Sequence, residues 1–329
     1  MKMKSKFVAT VLTAALAILS NPTLAQQRVL KFGHVYEPSH PMHAASVAAA
    51  EHMQKCTGSA VKVEVFPSSQ LGSEVSLNEQ IRFGGVDIIL TGQLFAAQAY
   101  KPIAVGAAPY IFRDRDHALK YGSSDVLKSL MVEYNKITGQ HMLSAGYFGA
   151  FNVSSNKPIT KPEDMRGLKI RVPNVPLYMA VPKAVGANPT PVAFGEVYLA
   201  LKQGVVEASV NPLPVTYAFK FFEVQKYVAL TGHLIEYAML IVGDPAWKRM
   251  NDSQRKCTIE MAQVYAEQST KAIVSQEDNL RAEMTSKGMI QFTDPDKAAF
   301  QRATAGVMDE LIREGQFSRD LVDRIRSLR

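Results

Sequence analysis

From about Asp252 to Lys287 the chain contains neither proline nor glycine. Cys257, Met261, Val264 and Tyr265 recur there at helical spacing and mark one apolar face. A helix of that length reaches roughly 50 Å at ~1.5 Å per residue, more than one small domain needs. The rest of the chain is therefore expected to divide into two bodies that share this helix as a spine.

The segments before it alternate strand and helix. Arg28 to Val35 reads as a strand, followed by a helix from about Pro41 to Cys56 that stops at Gly58. Val61, Val63 and Val65 alternate with Lys62 and Glu64 as a second strand, and Pro67 to Gly72 turns into a helix from about Ser73 to Phe83. Val86 to Thr91 is apolar enough for the interior of a parallel sheet. After about Gly149 the pattern begins again. Thr160, with Glu163 three residues on, has the spacing of a capping box opening one turn that ends at Gly167. Strands follow near Arg171, near Thr190 and from Ala208 to Val210, with helical patterns at Pro176 to Val185 and Phe194 to Gly204. Beyond the long helix, Lys297 to Glu314 and Ser318 to Leu328 read as two more helices. Such alternation points to an α/β fold.

The chain opens with Lys2, Lys4 and Lys6, an apolar run from Phe7 to Leu19, and small residues ending at Ala25. This is the pattern of a secretory signal peptide spanning residues 1–25, and the apolar run is short for a membrane span. Without those lysines the formal charge falls from +7 to +4. That mild positive balance suits an anionic ligand. Nucleic-acid binding would want clustered basic residues with interleaved aromatics, and no such cluster occurs. Cys56 and Cys257 are the two cysteines. An oxidising compartment permits a bond between them, and two separate buried thiols are the alternative. No Cys-x-x-Cys or His-x-x-x-His spacing suggests a metal site.

Neither a Gly-x-Ser-x-Gly elbow, a glycine-rich phosphate loop nor His-Glu-x-x-His is present, so no catalytic constellation stands out. His34, His40 and His43 are close in sequence, but a strand end and a turn at Pro41 suit them to turn and cap roles. The residue of interest is Arg171. Leu168, Ile170 and Val172 fall on one face of a short strand closed by Pro173, and Lys169 and Arg171 on the other. Taken alone, such an arginine reads first as a surface salt bridge. Its planar fork of donors equally suits a carboxylate, better than a lysine would.

Phe32-Gly33-His34, Phe66 to Gly72, Gly167 to Asn174, Phe194 to Gly204, Asn211-Pro212-Leu213 and Lys220 to Lys226, in that order and spacing, resemble the solute-binding proteins of tripartite ATP-independent periplasmic (TRAP) transporters. The resemblance implies a periplasmic two-domain clamshell with interleaved domains and a long spanning helix. Expected boundaries are residues 26–149 plus about 237–276 for one domain and 150–236 plus about 277–329 for the other. It also implies a monomer without enzymatic activity, cofactor or metal. Such a protein captures a carboxylate between its domains and delivers it to small and large membrane permease subunits.

In that family an arginine at the Arg171 position clamps the ligand carboxylate. Asn211 then offers an amide and Phe194 a wall, although periodicity alone makes Phe194 core. Many sialic-acid and dicarboxylate binders carry a second arginine twenty residues earlier, where this chain has Phe151. The loop Thr91 to Phe95 replaces their charged residues with Gln93 and Phe95. The expected pocket is thus more apolar than theirs, suited to a monocarboxylate with an apolar or aromatic body. Alternatives are a sugar-acid or dicarboxylate ligand, with Phe151 packed into the hinge, and, in a different class, a periplasmic enzyme acting on organic acids.

Overall fold

A computed structural model describes residues 27–329, so the expected signal peptide lies outside the described residues. The strands, in chain order, are β1 (Arg28–Gly33), β2 (Val61–Phe66), β3 (Ile88–Gly92), β4 (His141–Ala150), β5 (Asn152–Ser155), β6 (Lys169–Val172), β7 (Asn188–Pro191), β8 (Ala208–Asn211), β9 (Tyr227–Ala229), β10 (Ile235–Val242) and β11 (Gln291–Thr293). They form two sheets, ordered β2-β1-β3-β10-β4 and β11-β9-β5-β8-β6-β7. In the first, β1 runs parallel to β2 and β3, and β10 is inserted antiparallel between β3 and β4. In the second, β6 runs parallel to β7 and β8 while β5 is antiparallel to β8 and β9.

The chain leaves the first sheet at Ala150 and enters the second at Asn152, and it returns between Ala229 and Ile235. Phe151 occupies the first of these crossings. Strand β10 is buried along its whole length, which explains an apolar run interrupted only by Glu236.

The long helix runs from Asp252 to Ser286 and opens with a capping box in which Asn251 accepts from the Gln254 N–H. It packs on the helix Pro41–Cys56 and on β4, then on the helix Leu213–Ala218, so it touches elements of both sheets. Cys56 and Cys257 form a disulfide, which joins the end of the helix Pro41–Cys56 to the first turns of the long one. The last helix, Arg319–Arg326, packs against the helix Asp125–Thr138, and His117 Nε2 lies 2.8 Å from the Ile325 carbonyl. The C-terminus therefore ends on the side of the first sheet.

Several local expectations need correction. The turn at Pro162–Met165 is capped one residue later than its spacing suggested, because Asp164 and not Glu163 reaches back. Its Oδ2 accepts from the N–H groups of Thr160 and Lys161 and from the Thr160 hydroxyl. The helical stretch after Pro176 begins as a 3-10 turn, Pro176–Met179, before one short α-turn at Ala180–Ala184. That 3-10 turn matters because it carries Tyr178 toward the first sheet.

Among the described residues, no helix is long and apolar enough to cross a membrane.

Candidate functional site

A cavity of about 190 Å³ lies between the two sheets. Phe95, Phe148, Phe151, Phe194, Tyr36 and Tyr178 supply its aromatic wall. Its charged residues are Arg171 from the second sheet and Glu74 and Glu236 from the side of the first.

Arg171 sits near the end of β6, paired in register with Thr190 on one side and Ser209 on the other. The side chain is only 2% exposed, so the surface salt-bridge reading is excluded. Its Nε and Nη2 donate to the Val192 carbonyl at 3.0 and 2.9 Å, which fixes the plane of the guanidinium. The guanidinium carbon lies 5.4 Å from the centre of the Phe194 ring, within cation–π range. Among the described residues no carboxylate oxygen comes within 4.0 Å of its nitrogens. Burial pulls its pKa down to about 10, with Tyr178 and Glu74 opposing, and it remains a cation at neutral pH. The result is a buried, immobilised cation with no acidic partner in contact among the described residues.

Asn211 ends β8 and donates from Nδ2 to the Ser209 hydroxyl at 2.8 Å. Phe194, in a 3-10 turn, packs 4.4 Å from the Phe219 ring centre and 6.2 Å from that of Tyr36. Phe151 is 3% exposed, lines the cavity and packs against Phe148 and Tyr178 at 5.9 and 6.2 Å. Its backbone N–H donates to Leu234 at 2.9 Å, between the two crossings, so packing at the crossing and lining the cavity are one role. Phe95 also lines the cavity, 6.0 Å from the Tyr178 ring.

Gln93 is the exception among the expected residues. It is fully buried away from the cavity, and its Nε2 donates to the Ile103 carbonyl at 3.3 Å. Gln93 and Phe95 share the helical turn Gln93–Ala96, and residues two apart on a helix face opposite sides.

The two carboxyls were not foreseen. Glu74 is the first residue of the helix Glu74–Phe83, and its Oε1 accepts from the Gly92 N–H at 2.7 Å and the Thr91 hydroxyl at 3.0 Å. Burial pushes its pKa up to about 7 against those hydrogen bonds and Arg171. Glu236 is 1% exposed; its Oε1 accepts from the Leu94 N–H at 3.0 Å, and both its oxygens lie 2.7 Å from the Tyr178 hydroxyl. Burial pushes its pKa up to about 8, and the nearby Glu74 adds to the shift. The sequence signal for Glu236 was an acid inside an otherwise apolar strand. Glu74 carried no such signal, since an acid in a first helical turn is ordinary.

The histidines take structural roles. His40 Nδ1 accepts from Met42 N–H at 3.2 Å as a helix cap, and His34 Nδ1 accepts from Tyr36 N–H at 3.2 Å. Burial lowers both pKa values to about 3. His52, Cys56 and Glu260 also cluster, but the Cys56 sulfur is committed to the disulfide and offers no thiolate to a metal.

The chain matches the bacterial extracellular solute-binding protein family 7, DctP, over residues 32–314. A solute-binding protein of Roseobacter denitrificans is 32% identical over 292 residues, 88% of this chain and 89% of that protein. Its structure, a TRAP periplasmic solute-binding protein with bound L-galactonate, aligns with a TM-score of 0.82 at 30% identity over 92% of this chain and 99% of that one. A Bordetella TRAP periplasmic solute-binding protein, with density assigned to pantoate, aligns at 0.87 and 26% identity over 92% of this chain and 100% of that one. One from Polaromonas, bound to D-erythronate, aligns at 0.87 and 27% identity over 92% and 99% of the two chains. Two sheets joined by a long shared helix around a buried, unpaired arginine, together with these matches, lead to one conclusion: the chain belongs to the DctP family of bacterial extracellular solute-binding proteins, the TRAP periplasmic binders.

Proposed function

We propose that this protein is the periplasmic solute-binding subunit of a TRAP transporter, and that it captures a small monocarboxylate with an apolar or aromatic body. The observation that carries the reading is Arg171: buried, oriented by Val192 and without an acidic contact among the described residues, it faces a cavity walled by aromatic rings. Water exclusion between the sheets strengthens its attraction for a carboxylate. Asn211 is available as a neutral polar contact and Phe194 as a wall. Phe151, Phe148 and Phe95 would enclose the body of the ligand. Gln93 has no direct part in this reading.

The capture lobes follow the sheets. One would comprise the chain up to Ala150, β10, the first half of the long helix and the terminal helix Arg319–Arg326; the other, β5 to β9 with the later half and the helix Lys297–Arg313. The monomeric closed form would then be handed to the small and large permease subunits, with no chemical change to the ligand.

A sugar acid is the second reading, favoured by L-galactonate and D-erythronate in two of the relatives. Thermal-shift titration of the purified protein with alkyl and aryl monoacids, sugar acids and dicarboxylates separates the two, since a ligand specific to the folded state raises Tm with its concentration. Shifts with monoacids, abolished in Arg171→Ala, support the proposal. Shifts confined to sugar acids or dicarboxylates favour the second reading. Recovery of a chemically altered ligand would point instead to an enzyme.

A further inference from the structure

The aromatic cavity has a second polar feature, the convergence of Glu74 and Glu236 on Gly92. Glu74 Oε1 accepts from the Gly92 N–H at 2.7 Å, and a Cβ added at Gly92 would lie 2.8 Å from Glu236 Oε1 and 3.1 Å from the Tyr178 hydroxyl. The absence of a side chain at residue 92 is what lets the Glu236 carboxyl and the Tyr178 hydroxyl sit there.

The fixed donors on these carboxyls are backbone N–H groups, Gly92 on Glu74 and Leu94 on Glu236, and the hydroxyls of Thr91 and Tyr178 complete the contacts. The two groups are therefore presented as acceptors. Among the described residues no lysine or arginine pairs with either, while Arg171 faces the same cavity from the opposite sheet, held by a carbonyl and not by an acid. Three charged groups share one cavity without neutralising one another by contact.

We propose that the ligand carries, beside the carboxylate held by Arg171, a protonated amine seated against Glu74 and Glu236, so that the cavity selects a compact amino acid with an apolar or aromatic side chain. This inference rests on the reading of Arg171 as the carboxylate clamp. Charge accounting supports it. With both acids ionised the lining holds one positive and two negative groups, and a simple carboxylate would add a third negative charge. A zwitterion adds none and places its cation where the negative charge is concentrated. The rings of Phe95, Phe151 and Tyr178 would favour a cation there as well. Because burial holds the two carboxyls partly protonated near neutral pH, an arriving ammonium should drive a proton off.

The test is calorimetric titration of the purified protein with matched acids. Methyl, isobutyl and benzyl bodies each carry hydrogen, hydroxyl or ammonium on the carbon beside the carboxylate, beginning with propionate, lactate and alanine, in both enantiomers. For at least one body the ammonium member should bind at least about tenfold more tightly than its hydroxyl and hydrogen counterparts. It should also release protons, seen as a binding heat at pH 7.5 that varies with the ionisation enthalpy of the buffer. Glu74→Gln and Glu236→Gln should each reduce that preference. Tighter binding of the hydroxyl or unsubstituted acids, amino-acid binding without proton release, or no amino-acid binding at all overturns the inference. If acids other than amino acids bind and depend on Arg171, the clamp reading survives alone; if Arg171→Ala leaves their binding unchanged, the clamp reading itself fails.

Discussion

The Tyr178 hydroxyl lies 2.7 Å from both carboxyl oxygens of Glu236, and this contact ties the turn after β6 to β10 across the cavity. Both groups are buried, with Tyr178 at 5% and Glu236 at 1% exposure. Burial keeps Glu236 largely protonated near neutral pH, so the hydrogen bond joins two neutral groups and contributes roughly 0.5–1.5 kcal/mol. It acts only when the two sheets are together, and so it is expected to favour that arrangement over one in which they separate.

Tyr178→Phe keeps the ring and removes that bond. Ligand affinity is expected to fall by up to about tenfold, with a larger radius of gyration for the ligand-free protein in solution scattering. Unchanged affinity and scattering would exclude a closing role for the contact.

Arg171→Met keeps the apolar stem but removes the guanidinium. Carboxylate binding should weaken by at least about a hundredfold, because a desolvated carboxylate loses its charge partner. The ligand-free Tm should move little, since losing the Val192 hydrogen bonds is offset by removing a buried cation that no acid neutralises. Arg171→Lys should also bind poorly, because one ammonium does not reproduce the fork. Thermal melts and titrations on the same preparations check both halves.

The acid pair gives stability a pH signature. Glu74 and Glu236 have folded pKa values of about 7 and about 8, above the ordinary 4.5, so the folded state holds protons that the unfolded chain releases. Their contribution is fully present below pH 4.5 and is lost as pH rises toward 8, by up to about 1.4 kcal/mol per pH unit for each group. His34 and His40 at about 3 and His233 at about 4 act at the other end. Buried neutral, they lower stability as pH falls below 6.5, where the unfolded chain takes up the protons first. Ligand-free Tm should therefore peak in mildly acidic buffer, and Glu236→Gln should flatten the alkaline limb. A parallel decline in the variant would mean that Glu236 does not titrate in this range.

Reduction of the Cys56–Cys257 bond should lower stability by about 2–4 kcal/mol without changing ligand affinity, because it frees the unfolded chain and touches no cavity residue. Paired melts with and without reductant, or the double Cys→Ser variant, measure it. A loss of affinity on reduction would show that the disulfide also holds the cavity in shape.

Much of the local structure was legible. The helix Pro41–Cys56 begins at a proline and ends before Gly58, and the long helix is free of breakers until Lys287, so backbone chemistry sets their limits. Arg171 was legible as a strand-end residue before Pro173, but alone it read as a surface salt bridge, and only the family resemblance of the surrounding segments singled it out. The turn at Gln93 misled for an equally local reason: residues two apart on a helical turn diverge, and sequence spacing did not say which one faces the cavity.

What the sequence by itself determined are therefore most of the elements, which depend on residues near one another in the chain, and the family, which shows in the order and spacing of short segments. The acid pair was decided by tertiary structure alone. Glu74 and Glu236 approach Gly92 only because β10 returns from the second sheet to lie antiparallel to β3, setting Ala238 opposite Gly92. The disulfide likewise closes across 201 residues of sequence, once two helices have packed side by side. Such meetings follow from long-range strand register and helix packing, which no local pattern of residue types encodes.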